Sequence, residues 1–282
     1  MMNAHFNLMF LTKQPQPANP KALVLLLHGV GGCETNLAEF AAAMDPETLV
    51  VMPRGPITLG AGQYGWFRVN FTAAGPVIVQ SEAEQSRQAL IRFVKQLQQS
   101  YGIAPEKTVI AGFSQGGILS ASVALSAPRL VAGFGVLSGR ILPELKPHIA
   151  GKAQLANLRA FIGHGQYDSK LPVMWAQRSD QLLSDLGVAH LTRLYPIDHA
   201  ISANMQADFL SWQQSPHTMG RKDSQAGAKR TSSFEDSASP ICRPLPSASF
   251  ISPLPCRQRL MTCTRPSGCK VYSARVSATH FF

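Results

Sequence analysis

The chain has 282 residues, 45% of them hydrophobic, which is enough apolar material for one sizeable buried core. Its formal net charge of +10 is unevenly placed: residues 1–215 carry 16 Lys+Arg against 13 Asp+Glu, and residues 216–282 carry 10 against 3. The positive field therefore belongs to the final quarter of the chain, and neither nucleic acid nor an anionic membrane surface is expected as a partner of the first 215 residues.

Phe6 to Leu11 reads as an edge strand. The start, MMNAHFNLMFLTK, has no basic region ahead of its short apolar run, and no stretch approaches the ~18 apolar residues of a membrane span, so a cytoplasmic protein is expected. Apolar runs of strand length follow at Leu23–Leu27, Leu49–Met52, Thr108–Ala111, Val131–Leu137, Arg159–Ile162 and Leu191–Tyr195. Continuous runs of this kind suit strands buried on both faces, hence a mostly parallel sheet. Helical patterns alternate with them at Thr35–Met44, Ser81–Ser100, Gln115–Ala127, Val173–Leu186 and Ala200–Gln214. In the second of these, Ala83, Leu90, Phe93, Val94 and Leu97 form one apolar stripe. The alternation predicts an α/β domain over residues 1–215, with helices on both faces of the sheet. Between Pro53 and Val79 no periodicity survives, and a long loop bordering the site is expected there.

From Pro216 the composition changes to Ser, Arg, Pro and Cys without apolar periodicity, and residues 216–282 read as a disordered basic tail. Its abrupt onset suggests a shifted reading frame or an extension foreign to the fold. Cys33 is the single cysteine before the tail, so no disulfide framework is implied for the core. Cys242, Cys256, Cys263 and Cys269 lack the short paired spacing of structural zinc sites, and no metal is expected.

Residues Thr108 to Ala127, TVIAGFSQGGILSASVALSA, are a β-branched run, then Gly-Phe-Ser-Gln-Gly, then a helical stretch. A serine on so sharp a strand-to-helix turn needs glycine on both flanks, and Gly112 and Gly116 stand there. Ser114 is thereby a candidate nucleophile. It needs a base, and the base needs a group that fixes its tautomer. In chain order, GHGQYD places Asp168 beyond one strand, and PIDHAIS places His199 beyond the next. Both loops emerge on the sheet edge that carries Ser114.

Among the alternatives, His164 precedes Asp168 and reads as a hydrogen-bonded loop residue, Asp198 adjoins His199 and diverges from its ring, and Asp180, Asp185 and Asp208 lie on solvated helix faces. Two N–H donors are required for an oxyanion. The Gln115 amide follows the nucleophile, and the glycine-rich LHGVGG loop offers the Val30 amide, with His28 as a brace. Trp66 and Phe67 are candidates for the wall of a substrate pocket, with an ordinary half-buried pair as the alternative. Arg140, in LSGR, reads as a surface cation, with a grip on a substrate carboxylate as its alternative; Cys33 reads as buried and inert, with a reactive thiol as the alternative.

LLLHGVGG, MPRGP, WF, GFSQGG, HGQYD and HAIS, in this order, resemble the phospholipase/carboxylesterase family of α/β-hydrolases, which includes bacterial carboxylesterases and acyl-protein thioesterases. The resemblance covers about Leu23 to Trp212. It implies an α/β-hydrolase fold with no large lid domain, hydrolysis of small-molecule esters or thioesters, no cofactor, Ser114, Asp168 and His199 as triad, and Val30 and Gln115 as oxyanion donors. Two positions depart from it: Gly32 stands where aspartate is frequent, and Asp198 where glycine often precedes the histidine. An added carboxylate beside His199 favours imidazolium and moves the activity optimum upward. The rival expectation of another class is a non-catalytic binding protein on a hydrolase fold, with its tail on nucleic acid.

Overall fold

Along the strand that begins at Ala22, Leu23, Leu25 and Leu27 enter one apolar cluster while Val24 and Leu26 enter another, which is the two-residue alternation of a strand buried on both faces. The computed structural model describes residues 6–72, 75–215 and 271–272. In chain order they form β1 (Phe10–Thr12), β2 (Ala22–Leu27), α1 (Ala38–Ala42), β3 (Thr48–Pro53), β4 (Ile57–Gly60), β5 (Gln63–Gly65), β6 (Val69–Thr72), β7 (Gly75–Ile78) and α2 (Gln80–Tyr101). Then come β8 (Thr108–Phe113), α3 (Gln115–Ser126), β9 (Gly133–Leu137), α4 (Lys152–Leu155), β10 (Arg159–Gly165), α5 (Met174–Leu186), β11 (Ala189–Tyr195), α6 (Ala203–Gln214) and β12 (Val271–Tyr272). The tail expected over 216–282 lies outside the described residues apart from this last pair.

The main sheet runs β11-β10-β9-β8-β2-β3-β1-β12. β11 through β3 are mutually parallel, and β1 pairs antiparallel with both β3 and β12. On one face, Leu90, Phe93, Val94 and Leu97 of α2 pack with Ile110, Val136 and Ile162 of the sheet. On the other, Phe40 of α1 and Met205, Phe209 and Trp212 of α6 pack with Val109, Ala111 and Phe161. The result is a three-layer, mostly parallel α/β-hydrolase fold, and no separate lid domain appears among the described residues. No helix among them is long and apolar enough to cross a membrane.

Segment 53–79 is more ordered than its sequence suggests. It forms two antiparallel ribbons, β4–β5 and β6–β7, where a long loop is expected. The strands are three or four residues long, and of their residues whose burial is described only Gly65 is buried, so the apolar alternation that announces a half-buried strand is missing. Gly62, at φ +70°, makes the first turn, a conformation that glycine adopts without a Cβ penalty.

Candidate active site

The carboxyl ends of β8, β9, β10 and β11 converge on one edge of the sheet, and the site grows from the turn after β8. Ser114 stands between β8 and α3 at φ 52°, ψ −114°, a strained backbone for a residue with a side chain. The turn is close-packed: a Cβ on Gly112 would meet the backbone of Gly116, and one on Gly116 would overlap the Leu27 carbonyl of the neighbouring strand. The Ser114 amide donates to the Leu137 carbonyl at 2.8 Å, which ties the turn to β9.

Ser114, His199 and Asp168 are joined in one chain of hydrogen bonds. The Ser114 hydroxyl donates to His199 Nε2 at 2.9 Å, and His199 Nδ1 donates to Asp168 Oδ2 at 2.7 Å. A carboxylate only accepts, so the Asp168 bond places the imidazole proton on Nδ1 and leaves Nε2 free to take one. Asp168 is 5% exposed. Its Oδ1 accepts from the amides of Lys170 (2.9 Å) and Leu171 (2.7 Å), which orients the carboxylate independently of the histidine. Phe113 lies against the other side of the imidazole, ring centroids 4.9 Å apart.

Two neighbouring groups hold this arrangement. Asp198 Oδ1 accepts from the amides of Ser169 and His199, both at 2.7 Å, and Oδ2 from the Ser169 hydroxyl at 3.2 Å, so its carboxylate is turned to the loop backbone. The Ser169 amide, then its hydroxyl, then the His199 amide hold the Asp198 carboxyl below its usual range. Buried His164 donates from Nε2 to the Leu171 carbonyl at 2.7 Å, and the same nitrogen lies 3.4 Å from Asp168 Oδ2. Desolvation pushes the His164 imidazole down from its ordinary value. The other acids engage elsewhere: Asp180 with Thr192 and His190, Asp185 with Gln181, and Asp208 with the Tyr195 hydroxyl.

Val30 and Gln115 both border a cavity of about 420 Å³ that also reaches Ser114 and His199. Among the described residues neither amide donates to a protein acceptor. The loop bearing Val30 is braced from two sides. Gly31 donates to the Tyr64 carbonyl and Tyr64 to the Gly32 carbonyl, each at 2.8 Å. His28 beneath it is 1% exposed: Nδ1 donates to the Gly29 carbonyl at 2.7 Å while Nε2 accepts from the Gly55 amide at 2.9 Å. The Gly55 bond requires neutral imidazole, because Nε2 accepts in it, and burial lowers the ring's proton affinity in the same sense, against the Gly29 bond, which favours the charged form.

Of the two aromatic candidates, Phe67 lines the cavity and Trp66 does not. Trp66 is fully buried behind the wall, where Nε1 donates to the His28 carbonyl at 3.0 Å and the ring lies against the His28 imidazole. Arg140 is not a surface cation. It is 5% exposed and lines the cavity, because the chain leaving β9 turns inward there under α5. Cys33 is half-buried, its Sγ 3.0 Å from the Thr35 hydroxyl. Sequence reasoning missed the roles of the Phe113 and Gln115 side chains, which occupy the variable places of the Gly-Phe-Ser-Gln-Gly motif, and Ser138, whose hydroxyl donates to the Ala200 carbonyl at 2.9 Å and which no motif marks. Among the described residues no cluster of three or more His, Cys, Asp or Glu is disposed to hold a metal ion.

The sequence pattern of the phospholipase/carboxylesterase family matches residues 12–213. The chain belongs to this family. Acyl-protein thioesterase 1 of Kluyveromyces lactis is 28% identical over 212 residues, which are 67% of this chain and 92% of that protein. Among solved structures, a carboxylesterase from Bacillus cereus superposes with a TM-score of 0.62 at 20% identity, covering 73% of this chain and 93% of its own. A carboxylesterase from Mesorhizobium loti gives 0.60 at 24% identity, covering 69% and 89%. The two crystal structures share the fold; the family match makes this phospholipase/carboxylesterase member a hydrolase of the esterase and thioesterase type.

Proposed function

We propose that the chain cleaves carboxylic esters through Ser114, His199 and Asp168 by way of an acyl-enzyme. The observation that carries this reading is the continuous hydrogen-bonded path from the Ser114 hydroxyl through His199 to Asp168 at the edge of an open cavity. His199 Nε2 takes the hydroxyl proton as Ser114 Oγ attacks the carbonyl carbon, and the resulting imidazolium faces the Asp168 carboxylate. Negative charge on the carbonyl oxygen is received by the amides of Val30 and Gln115, the latter at the N-terminus of α3. Collapse expels the alcohol, protonated by His199. A water then repeats the sequence in reverse and releases the acid. Phe67, Val69 and Ile118 line the apolar side of the cavity beside Ser114 and suit an acyl chain.

A thioester substrate is the second reading, favoured by the likeness to acyl-protein thioesterases. The same groups perform it, with a thiol leaving. The test is hydrolysis of p-nitrophenyl butyrate, and of the matching acyl thioester, by wild type and Ser114→Ala. Activity that falls about 10⁴-fold or more in a folded variant supports the triad. Undiminished hydrolysis would remove it. The rival of a non-catalytic binding protein predicts no turnover of either substrate by folded wild type.

A further inference from the structure

Among the described residues Arg140 is a buried cation without a counterion. It is 5% exposed, its Nε has no hydrogen-bond partner, and none of the ion pairs among the described residues includes it. Among the described residues Glu144 is the one carboxylate whose field favours its charge, and that field is outweighed by desolvation. Its position is nevertheless well defined. The guanidinium carbon stands 4.4 Å from the centre of the Trp175 ring, on which Arg178 also stacks at 4.9 Å. The Ile141 amide donates to the Ser179 hydroxyl at 3.1 Å. On the other side, a Cβ on Gly139 would lie 2.9 Å from the Ser114 carbonyl oxygen, so the backbone leading into Arg140 packs directly on the nucleophile turn.

Stacking occupies the face of a guanidinium and leaves its edge donors free. Such a group, desolvated and unpaired, is costly unless something supplies a negative partner. The cavity that Arg140 lines with Ser114 and His199 holds no acidic residue, and a second cation, the exposed Lys170, borders it.

We infer that the substrate carries a carboxylate, received in this cavity by the guanidinium edge of Arg140, so that the enzyme selects anionic over neutral esters. A carboxylate satisfies a guanidinium fork with two parallel hydrogen bonds and restores the charge balance that the fold leaves open. Lys170, at the rim, adds attraction without fixed geometry. Arg140 is thereby a specificity-determining residue. The turnover arm of this inference rests on the serine-hydrolase reading above, and the binding arm does not.

The test compares kcat/KM for mono-4-nitrophenyl glutarate with that for p-nitrophenyl butyrate, and for 4-acetoxybenzoate with that for phenyl acetate, in wild type, Arg140→Gln and Arg140→Lys. The first pair puts the carboxylate on the acyl side and the second on the leaving group. In one pair wild type favours the anionic ester by at least about tenfold, Arg140→Gln abolishes that preference mainly through KM, and Arg140→Lys keeps part of it. No preference in either pair, or a preference unchanged in both variants, overturns the inference while leaving the esterase reading intact. Glutarate binding to Ser114→Ala, followed by calorimetry, supplies a readout free of turnover. Binding that weakens at least about tenfold in Ser114→Ala/Arg140→Gln supports the carboxylate site even if no ester is hydrolysed, and binding indifferent to Arg140 overturns it.

Discussion

Gln115 reaches back across the turn between β8 and α3 to Phe67: its Nε2 donates to the Phe67 carbonyl at 2.6 Å, and its Oε1 accepts from the Trp66 amide at 2.7 Å. One buried amide thus fastens the chain between β5 and β6 to the first residue of α3. Gln115→Ala leaves two buried backbone groups unpaired and is expected to destabilise the protein by about 1–3 kcal/mol in urea unfolding. Gln115→Glu, which faces the Phe67 carbonyl with an acceptor, is expected to cost more than Gln115→Ala; a smaller loss would mean that this bridge does not hold the segment.

Asp168→Asn keeps the shape of the acid while letting an amide donor face His199. The imidazole proton then favours Nε2, and the nitrogen facing Ser114 can no longer accept. A fall in kcat of about 10⁴-fold is expected with little change in unfolding midpoint. A loss below about tenfold would shift the orienting role to another group.

At Gly116 a Cβ overlaps the Leu27 carbonyl. Gly116→Ala must therefore displace backbone between α3 and β2, at about 1–3 kcal/mol or more. Activity should fall with it, since the same displacement moves the Gln115 amide. Thermal melts and ester assays on one preparation check both; an unshifted melt would count against the tightness of this turn.

Among the described residues, three groups close to the site add to the acid dependence of stability that Glu34 and Glu84, both depressed, also bring. His28 and His164 are held below their ordinary value by burial, so the unfolded chain binds protons that the folded chain refuses. Their contribution is complete above about pH 6.5 and is lost as pH falls through the depressed folded values. Asp198, depressed by the Ser169 and His199 amides, contributes above about pH 4 and loses its share as pH drops through its folded value. Urea unfolding from pH 8 to pH 3 should show stability declining in two ranges. His28→Gln should flatten the upper range, and Asp198→Asn the lower. A profile unaltered by either variant would refute the assignment.

Five of the six parallel strands, β2, β3, β8, β9 and β10, were legible because burial on both faces demands a largely apolar run, whereas the edge strand β11, AHLTRLY, is mostly unburied and announced itself only by its place after a helical pattern. The Ser114 turn was legible for a steric reason, its flanking glycines. What escaped the sequence depends on direction rather than residue type. Trp66 and Phe67 are neighbours, yet one ring packs on His28 and the other lines the cavity. Arg140 follows a strand, where a charged residue ordinarily meets solvent, and only the arrival of α5 with Trp175 buries it. The short ribbons of 57–78 lack the length that periodicity needs.

In the sheet, β9 lies between the strand that leads to Ser114 and the strand that leads to Asp168, and it supplies neither. Its outgoing turn carries Arg140 instead. On the readings proposed above, the residue that selects the substrate leaves from the strand between those leading to the nucleophile and the acid, with the histidine one strand further out, after β11. Drift at position 140 would then change what the enzyme accepts while the proposed proton path is inherited intact, and one hydrolytic apparatus would be reassigned to new substrates by single steps.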